Sequence, residues 1–445
     1  MARTTTISGA AFTALVLGCA MIFLGGAAAA EKVYSQTFKS PAFILGPGDV
    51  CNKELLMEMP KGHIALRSFN AQVVDEDGVP VPLHQTYLHH WTAHRYYMPR
   101  STSGLRDPVL ASNWGVCEDG NLKQLYGLGS ETRRTDTNIP APYGIEVGDP
   151  DSIPVGYDEV WILNVHAIDT RGTVDKRKCT ECVCELYNIT HDTPGKHGEP
   201  IPEDYEGGLE CCFDETHCAL QEGFEGPKRT LYMEYFVKWV EMSEEVVPVK
   251  VYIFDVTDKK TTANGKDKCA VEYTVPKCGN EENACVHKEE NINFLPTGGD
   301  VIYAVAHQHA GGLGSTLYKS DGSVICSSLP TYGNGIAAGD EEGYIVGMST
   351  CVPTPGQVKV KAGEALKVTS WYNSEDRHTG VMGLYYILVD DSAEVQPPED
   401  NNKYYGLMAA AFVAAVILIA AIIANHLKAM KRGPEYESLR TAAAV

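Results

Sequence analysis

Between Glu31 and Val395 no long stretch of the chain carries helical period. Short apolar, β-branched runs recur instead, broken by turn chemistry. In Val73-Val74-Asp75-Glu76-Asp77-Gly78-Val79-Pro80 an Asp-Gly pair between apolar runs is a hairpin signal. Chains patterned in this way bury their apolar faces by laying one sheet on another, so an all-β fold of sandwiches is expected.

At 445 residues the chain exceeds one ordinary core and suggests two domains with extra segments at its ends. The polar connector Asp258 to Lys268 is the expected boundary, giving a first sandwich over 31–262 and a second over 263–393. Residues 1–30 have the layout of a cleaved secretory signal, with Arg3, an apolar core from Ala10 to Leu24, and Ala28-Ala29-Ala30. After a stalk at 394–405, the apolar run at 406–425 is long enough to span a bilayer as one helix. Lys428, Lys431 and Arg432 follow it, which places the tail 426–445 in the cytosol and everything before the span in the lumen or outside the cell. A membrane protein of the secretory pathway or plasma membrane is expected. In the tail, Tyr436-Glu437-Ser438-Leu439 has the form of a tyrosine signal read by clathrin adaptors.

The formal charge of −21 falls mainly on the external part, which argues against nucleic acid or anionic lipid as a partner and leaves a small-molecule substrate open. Of the 14 cysteines, Cys19 leaves with the signal, so an odd number remains where disulfides are the default, and at least one thiol stays unpaired within the chain. Six of them, Cys179, Cys182, Cys184, Cys211, Cys212 and Cys218, crowd an insertion at 176–228 that is rich in Pro, Gly and Asp. The Cys179-Thr180-Glu181-Cys182 spacing also suits a redox pair or a zinc thiolate site. In an exported, loop-rich segment three disulfides are the expectation, with their connectivity open. Asn188-Ile189-Thr190 is then a glycosylation acceptor.

Histidines sit in or beside several strand-like runs. His307 and His309 are two apart in the run Val301 to His309 and so share a face. His89 and His90 are adjacent, and neighbours on a regular strand point to opposite sides. They can meet one metal only at a strand end or a bulge. His166 ends the run Glu159 to His166, on the face opposite Trp161, Leu163 and Val165. Met382 shares a face with Leu384 and Tyr386 on the last strand. Each alone also reads as an ordinary core residue, while His63, His84 and His94 read as surface histidines. Together they make a three-nitrogen set (His89, His90, His166) and a two-nitrogen, one-thioether set (His307, His309, Met382), a donor combination that selects copper over zinc. The glycines after His309 do not form a phosphate loop, because no Lys-Ser/Thr follows them.

His-His, a strand-borne His, His-x-His and then Met on a final strand is an order that resembles the copper type II, ascorbate-dependent monooxygenases of the peptidylglycine α-hydroxylating and dopamine β-hydroxylating type. A closer resemblance, through Phe43-Ile44-Leu45-Gly46-Pro47-Gly48, Pro60 to Leu66, Tyr87-Leu88-His89-His90-Trp91 and Val249 to Asp255, is to the stress up-regulated Nod family of plants. The enzyme resemblance implies two jelly-roll-like domains with one copper each. His89, His90 and His166 would form the electron-supplying site, and His307, His309 and Met382 the oxygen-activating one, with ascorbate as reductant and hydroxylation of a carbon-hydrogen bond as the outcome. Two departures stand out: those enzymes have a further histidine close behind His-x-His, and they lack the cysteine-rich insertion. Two functions follow as expectations, a membrane-anchored copper monooxygenase, or a membrane glycoprotein that keeps the fold for binding or adhesion.

Overall fold

A computed structural model describes residues 31–392 apart from 101–107, 116, 118–121, 261–266 and 280–284. The expected signal, stalk, span and tail, with Tyr436 to Leu439, lie outside the described residues. Among those described, no helix is long and apolar enough to cross a membrane.

Alternation drives the architecture. On the strand Arg229–Glu241, Leu231, Met233, Tyr235 and Val237 are buried at every second position. That strand lies inside a six-stranded sheet between Tyr34–Lys39 and Ile64–Val74, which continues through Tyr143–Val147 to Val247–Pro248, while Phe43–Leu45 also pairs with Arg229–Glu241. The facing sheet orders Val50–Met57, Tyr157–Asp169, Thr86–Pro99 and Val109–Leu110, with Tyr126–Leu128 paired on Thr86–Pro99. Trp161, Leu163 and Val165 fill the space between the two sheets, as their spacing predicts. The hairpin at Asp75 to Val79 also forms: Gly78 takes the left-handed conformation at φ 79° and the Asp75 carboxylate accepts from the Asp77 and Val79 amides.

The second sandwich pairs a five-stranded sheet (Lys250–Asp255, His378–Asp390, Gly299–Gln308, Lys359–Val360, and Glu272–Val275 on His378–Asp390) with a four-stranded one (Val286–Phe294, Ala365–Asn373, Gly312–Tyr318, Val324–Ser328). Gly299–Gln308 and His378–Asp390 are buried along their whole length, which explains their unbroken apolar character. One detail differs from the sequence-based boundary. Val247–Pro248 hydrogen-bonds in the first sandwich, whereas Lys250–Asp255 already pairs with His378–Asp390, so the chain crosses at Val249 and not near residue 262. The alternation Val247, Val249, Val251, Ile253 runs straight through the crossing, and periodicity alone carries no mark of it.

The two sandwiches are joined tightly. The disulfide Cys117–Cys269 spans the seam, Gln124 donates to the Tyr386 hydroxyl at 2.9 Å, the Tyr303 hydroxyl donates to the Asp136 carbonyl at 2.8 Å, and Arg133 pairs with the buried Glu341 at 3.1 Å. The cysteine-rich insertion adds a clamp. Its six cysteines form Cys179–Cys218, Cys182–Cys212 and Cys184–Cys211, in line with three disulfides, so no thiolate is left there for zinc or for a redox pair. Glu181 and the Leu209 amide of the insertion reach His378 and Glu272 on the second sandwich. With Cys278–Cys285 and Cys326–Cys351 there are six disulfides among the described residues, and the odd thiol left among them is Cys51, buried and pushed up to about 12 by its apolar surroundings.

Candidate metal centre

The seam is where the histidines meet. Pairing of Thr86–Pro99 with Tyr157–Asp169 matches Leu88 to Ala167 and then His90 to His166, so His89 is the extra residue of a β-bulge. The bulge meets the geometric demand made by two adjacent histidines. His89 and His90 both turn to the same place, and ligand nitrogens of His89, His90 and His166 lie within 4.8 Å of one another.

The second pair comes to the same place. His307 lies near the end of Gly299–Gln308 and His309 just beyond it, with ring centroids 5.2 Å apart. The His309 ring stands 4.6 Å from His89, which is itself 4.4 Å from His166. The two separate sites expected from the sequence are therefore one cluster of five imidazoles drawn from both sandwiches. Met382, buried opposite Glu272 in the sheet, shares the wall of an adjoining cavity with His90, His307, Leu384 and Tyr386, the face its strand spacing predicts. His63, His84 and His94 stay out of the cluster. His63 pairs with Glu146 on the surface, and His94, half-buried, bonds to Thr92.

Two groups that the sequence did not single out orient the rings. Glu131, fully buried, holds His307 Nδ1 at 2.6 Å and accepts from the Gly129 amide at 3.0 Å, which leaves His307 Nε2 as the free nitrogen. Asn164 meets His90 Nε2 at 3.1 Å and leaves its Nδ1 free. Both nitrogens of His89 and Nε2 of His309 have no hydrogen-bond partner, and neither nitrogen of His166 makes a well-formed one, although the Cys212 backbone acts on its ring. No sequence signal marks Glu131, because an acidic residue in a polar stretch ordinarily reads as surface. His378, which no sequence motif marks, is occupied by Glu181 at 2.8 Å.

Burial and mutual repulsion hold His89, His166 and His309 well below the usual imidazole range, and burial takes His90 to about 3 and His94 to about 4. Unpartnered polar atoms in a core are costly. Ring nitrogens with free lone pairs are donors that a transition metal can take, and Met382 lies on the wall of the adjoining cavity. The same shifts fix a pH dependence. A histidine with a depressed folded value binds fewer protons folded than unfolded, so its contribution falls once pH drops below the ordinary 6.5 and keeps falling to the folded value. Urea midpoints of metal-free protein are expected to decline from about pH 6.5 towards pH 4, each buried ring contributing up to about 1.4 kcal/mol per pH unit. A flat profile across that range would mean that the rings protonate in place.

Beside the cluster lies a cavity of about 370 Å³, within the range of small-ligand sites. Its walls combine apolar side chains (Leu122, Leu128, Leu209, Val271) with Glu272, while Lys196 and His197 also line it. Fold and site together define a disulfide-rich, two-sandwich β protein with a histidine-lined seam open to a cavity. The chain belongs to the stress up-regulated Nod 19 family, whose model matches residues 31–392. No curated protein sequence matches it. Similar solved structures include PNGase F, a glycosylasparaginase from Flavobacterium meningosepticum, at 9% identity, covering 81% of this chain and 97% of that one, with a TM-score of 0.29. The STIV MCP matches at 8% identity over 82% and 99% of the two chains with a TM-score of 0.26, and the infectious bursal disease virus VP2 subviral particle at 11% over 82% and 73% with 0.19. Scores this low say nothing about the chemistry of the seam.

Proposed function

We propose that this chain is a membrane-anchored copper protein of the secretory pathway or cell surface that hydroxylates a carbon-hydrogen bond of a small substrate, with ascorbate as reductant. The observation that carries the metal reading is the set of buried, unpartnered ring nitrogens on His89, His166, His307 and His309. His89, His90, His166, His307, His309 and Met382 would hold the metal. Bound copper supplies one-electron redox chemistry and, once reduced, activation of dioxygen. Glu131 keeps a proton on His307 Nδ1 and so aims Nε2, and Asn164 aims His90 in the same way. Copper analysis of the purified protein followed by ascorbate-dependent oxygen uptake tests the reading. Bound copper without uptake would leave a non-catalytic glycoprotein acting by binding or adhesion, and absence of copper would remove the metal reading.

The topology is part of the proposal: signal 1–30, span 406–425 and cytosolic tail 426–445 with an adaptor signal at Tyr436 to Leu439. Six disulfides and an exposed Asn188 suit an oxidising compartment where glycans are added. Protease added to sealed vesicles is expected to trim only the tail beyond about Asn425. Digestion of the disulfide-bonded part under those conditions would reverse the orientation.

A further inference from the structure

Three charged residues on the cavity wall, Lys196, Glu210 and Glu272, have no part in holding the metal. Glu272 stands opposite Met382 in the sheet, half-buried, with its carboxylate on the cavity wall. Both of its oxygens accept from the Leu209 amide at 3.0 Å, and Oε2 also accepts from the Tyr205 hydroxyl at 3.2 Å. Neither donor carries charge. Among the described residues no ion pair reaches Glu272: Lys196 acts on it only through space, and His197 is taken by Glu210 at 3.4 Å. A carboxylate that makes no direct ion pair, on the wall of a cavity shared with Leu122, Leu209, Val271 and Leu384, suits a cation that arrives with its own apolar body.

We infer that the cavity binds a small organic cation, with an ammonium or guanidinium head on Glu272 and an apolar body lying along Leu209 and Leu384 towards His90 and His307. The inference rests on the proposed function only for what happens at the far end of the ligand. The head-group contact belongs to the protein alone and is independent of copper.

The test uses the full chain in detergent, stripped of metal, titrated calorimetrically with n-hexylamine, n-hexanol and hexanoate. Hexylammonium is expected to bind at least about tenfold more tightly than the other two. Glu272→Gln keeps an acceptor for Leu209 and Tyr205 and should abolish that preference, while leaving the thermal midpoint and the disulfides in place. Equal or tighter binding of hexanoate to wild-type protein, or a preference for the amine that survives in Glu272→Gln, would overturn the inference. Should that variant not fold, Leu209→Trp, which fills the cavity from the insertion side, is expected to abolish hexylammonium binding, and unchanged binding there would equally overturn it. Copper content measured on the same proteins before the metal is stripped distinguishes loss of this ligand reading from loss of the metal reading.

Discussion

His166→Ala and His309→Ala, made on different sandwiches, are expected to be strongly coupled in copper binding. Two independent sites would make the free-energy losses of the single variants add in the double variant, as for residues without shared partners. In the structure both rings flank His89, at 4.4 and 4.6 Å between centroids, so removing either one disturbs the same nitrogen set. The second substitution should then weaken an already incomplete site by less, with a coupling of about 0.5–3 kcal/mol in a double-mutant cycle. Copper affinity and stoichiometry on wild type, the two single variants and the double variant decide it. Strict additivity, with each single variant losing a separate ion, would restore two sites. Met382→Ile is the companion measurement: as a core change of similar volume it should cost under about 1.5 kcal/mol of stability, so any loss of copper reports on the thioether itself.

Gly129→Ala is expected to be among the most damaging single changes near the seam. Its φ of −124° is outside the left-handed region that favours glycine, and the space around it is closed. An added methyl would stand 2.5 Å from the His89 carbonyl, 2.9 Å from His307 Cε1 and 3.1 Å from Glu131 Oε2. Two of these atoms belong to side chains locked together by a 2.6 Å hydrogen bond, and the third is the backbone of the bulge, so nothing nearby yields cheaply. Overpacking of this kind typically costs about 1–3 kcal/mol, and relief would move His307 away from the cluster. A lowered urea midpoint together with copper loss greater than that of Glu131→Gln is the expected result. A variant with the wild-type midpoint and full copper would show that the seam has room that the structure does not display.

Much of this was readable from local pattern. Period-two alternation, as in Leu231 to Val237, fixes which faces are buried, because a side chain on a strand has only two directions to take. An odd count of cysteines beyond residue 30 predicts pairs with at least one left over, and among the described residues Cys51 is the one. Two adjacent histidines can meet only at a strand end or a bulge, and the structure supplies the bulge, at His89.

Tertiary structure alone decided the rest. Strand period says which face His166 or His309 occupies, but not that the two sandwiches dock with those faces together. That depends on the seam bonds Gln124 to Tyr386 and Arg133 to Glu341, on Cys117–Cys269 and on the insertion's clamp, all between residues far apart in the chain. The crossing at Val249 was hidden for a related reason, since alternation is the same whichever sheet a strand joins. Glu131 and Glu272 are the clearest cases: a carboxylate's burial is set by what folds over it, and nothing in its neighbours along the chain encodes that. Local sequence specifies the direction of each side chain, while long-range packing determines which directions converge.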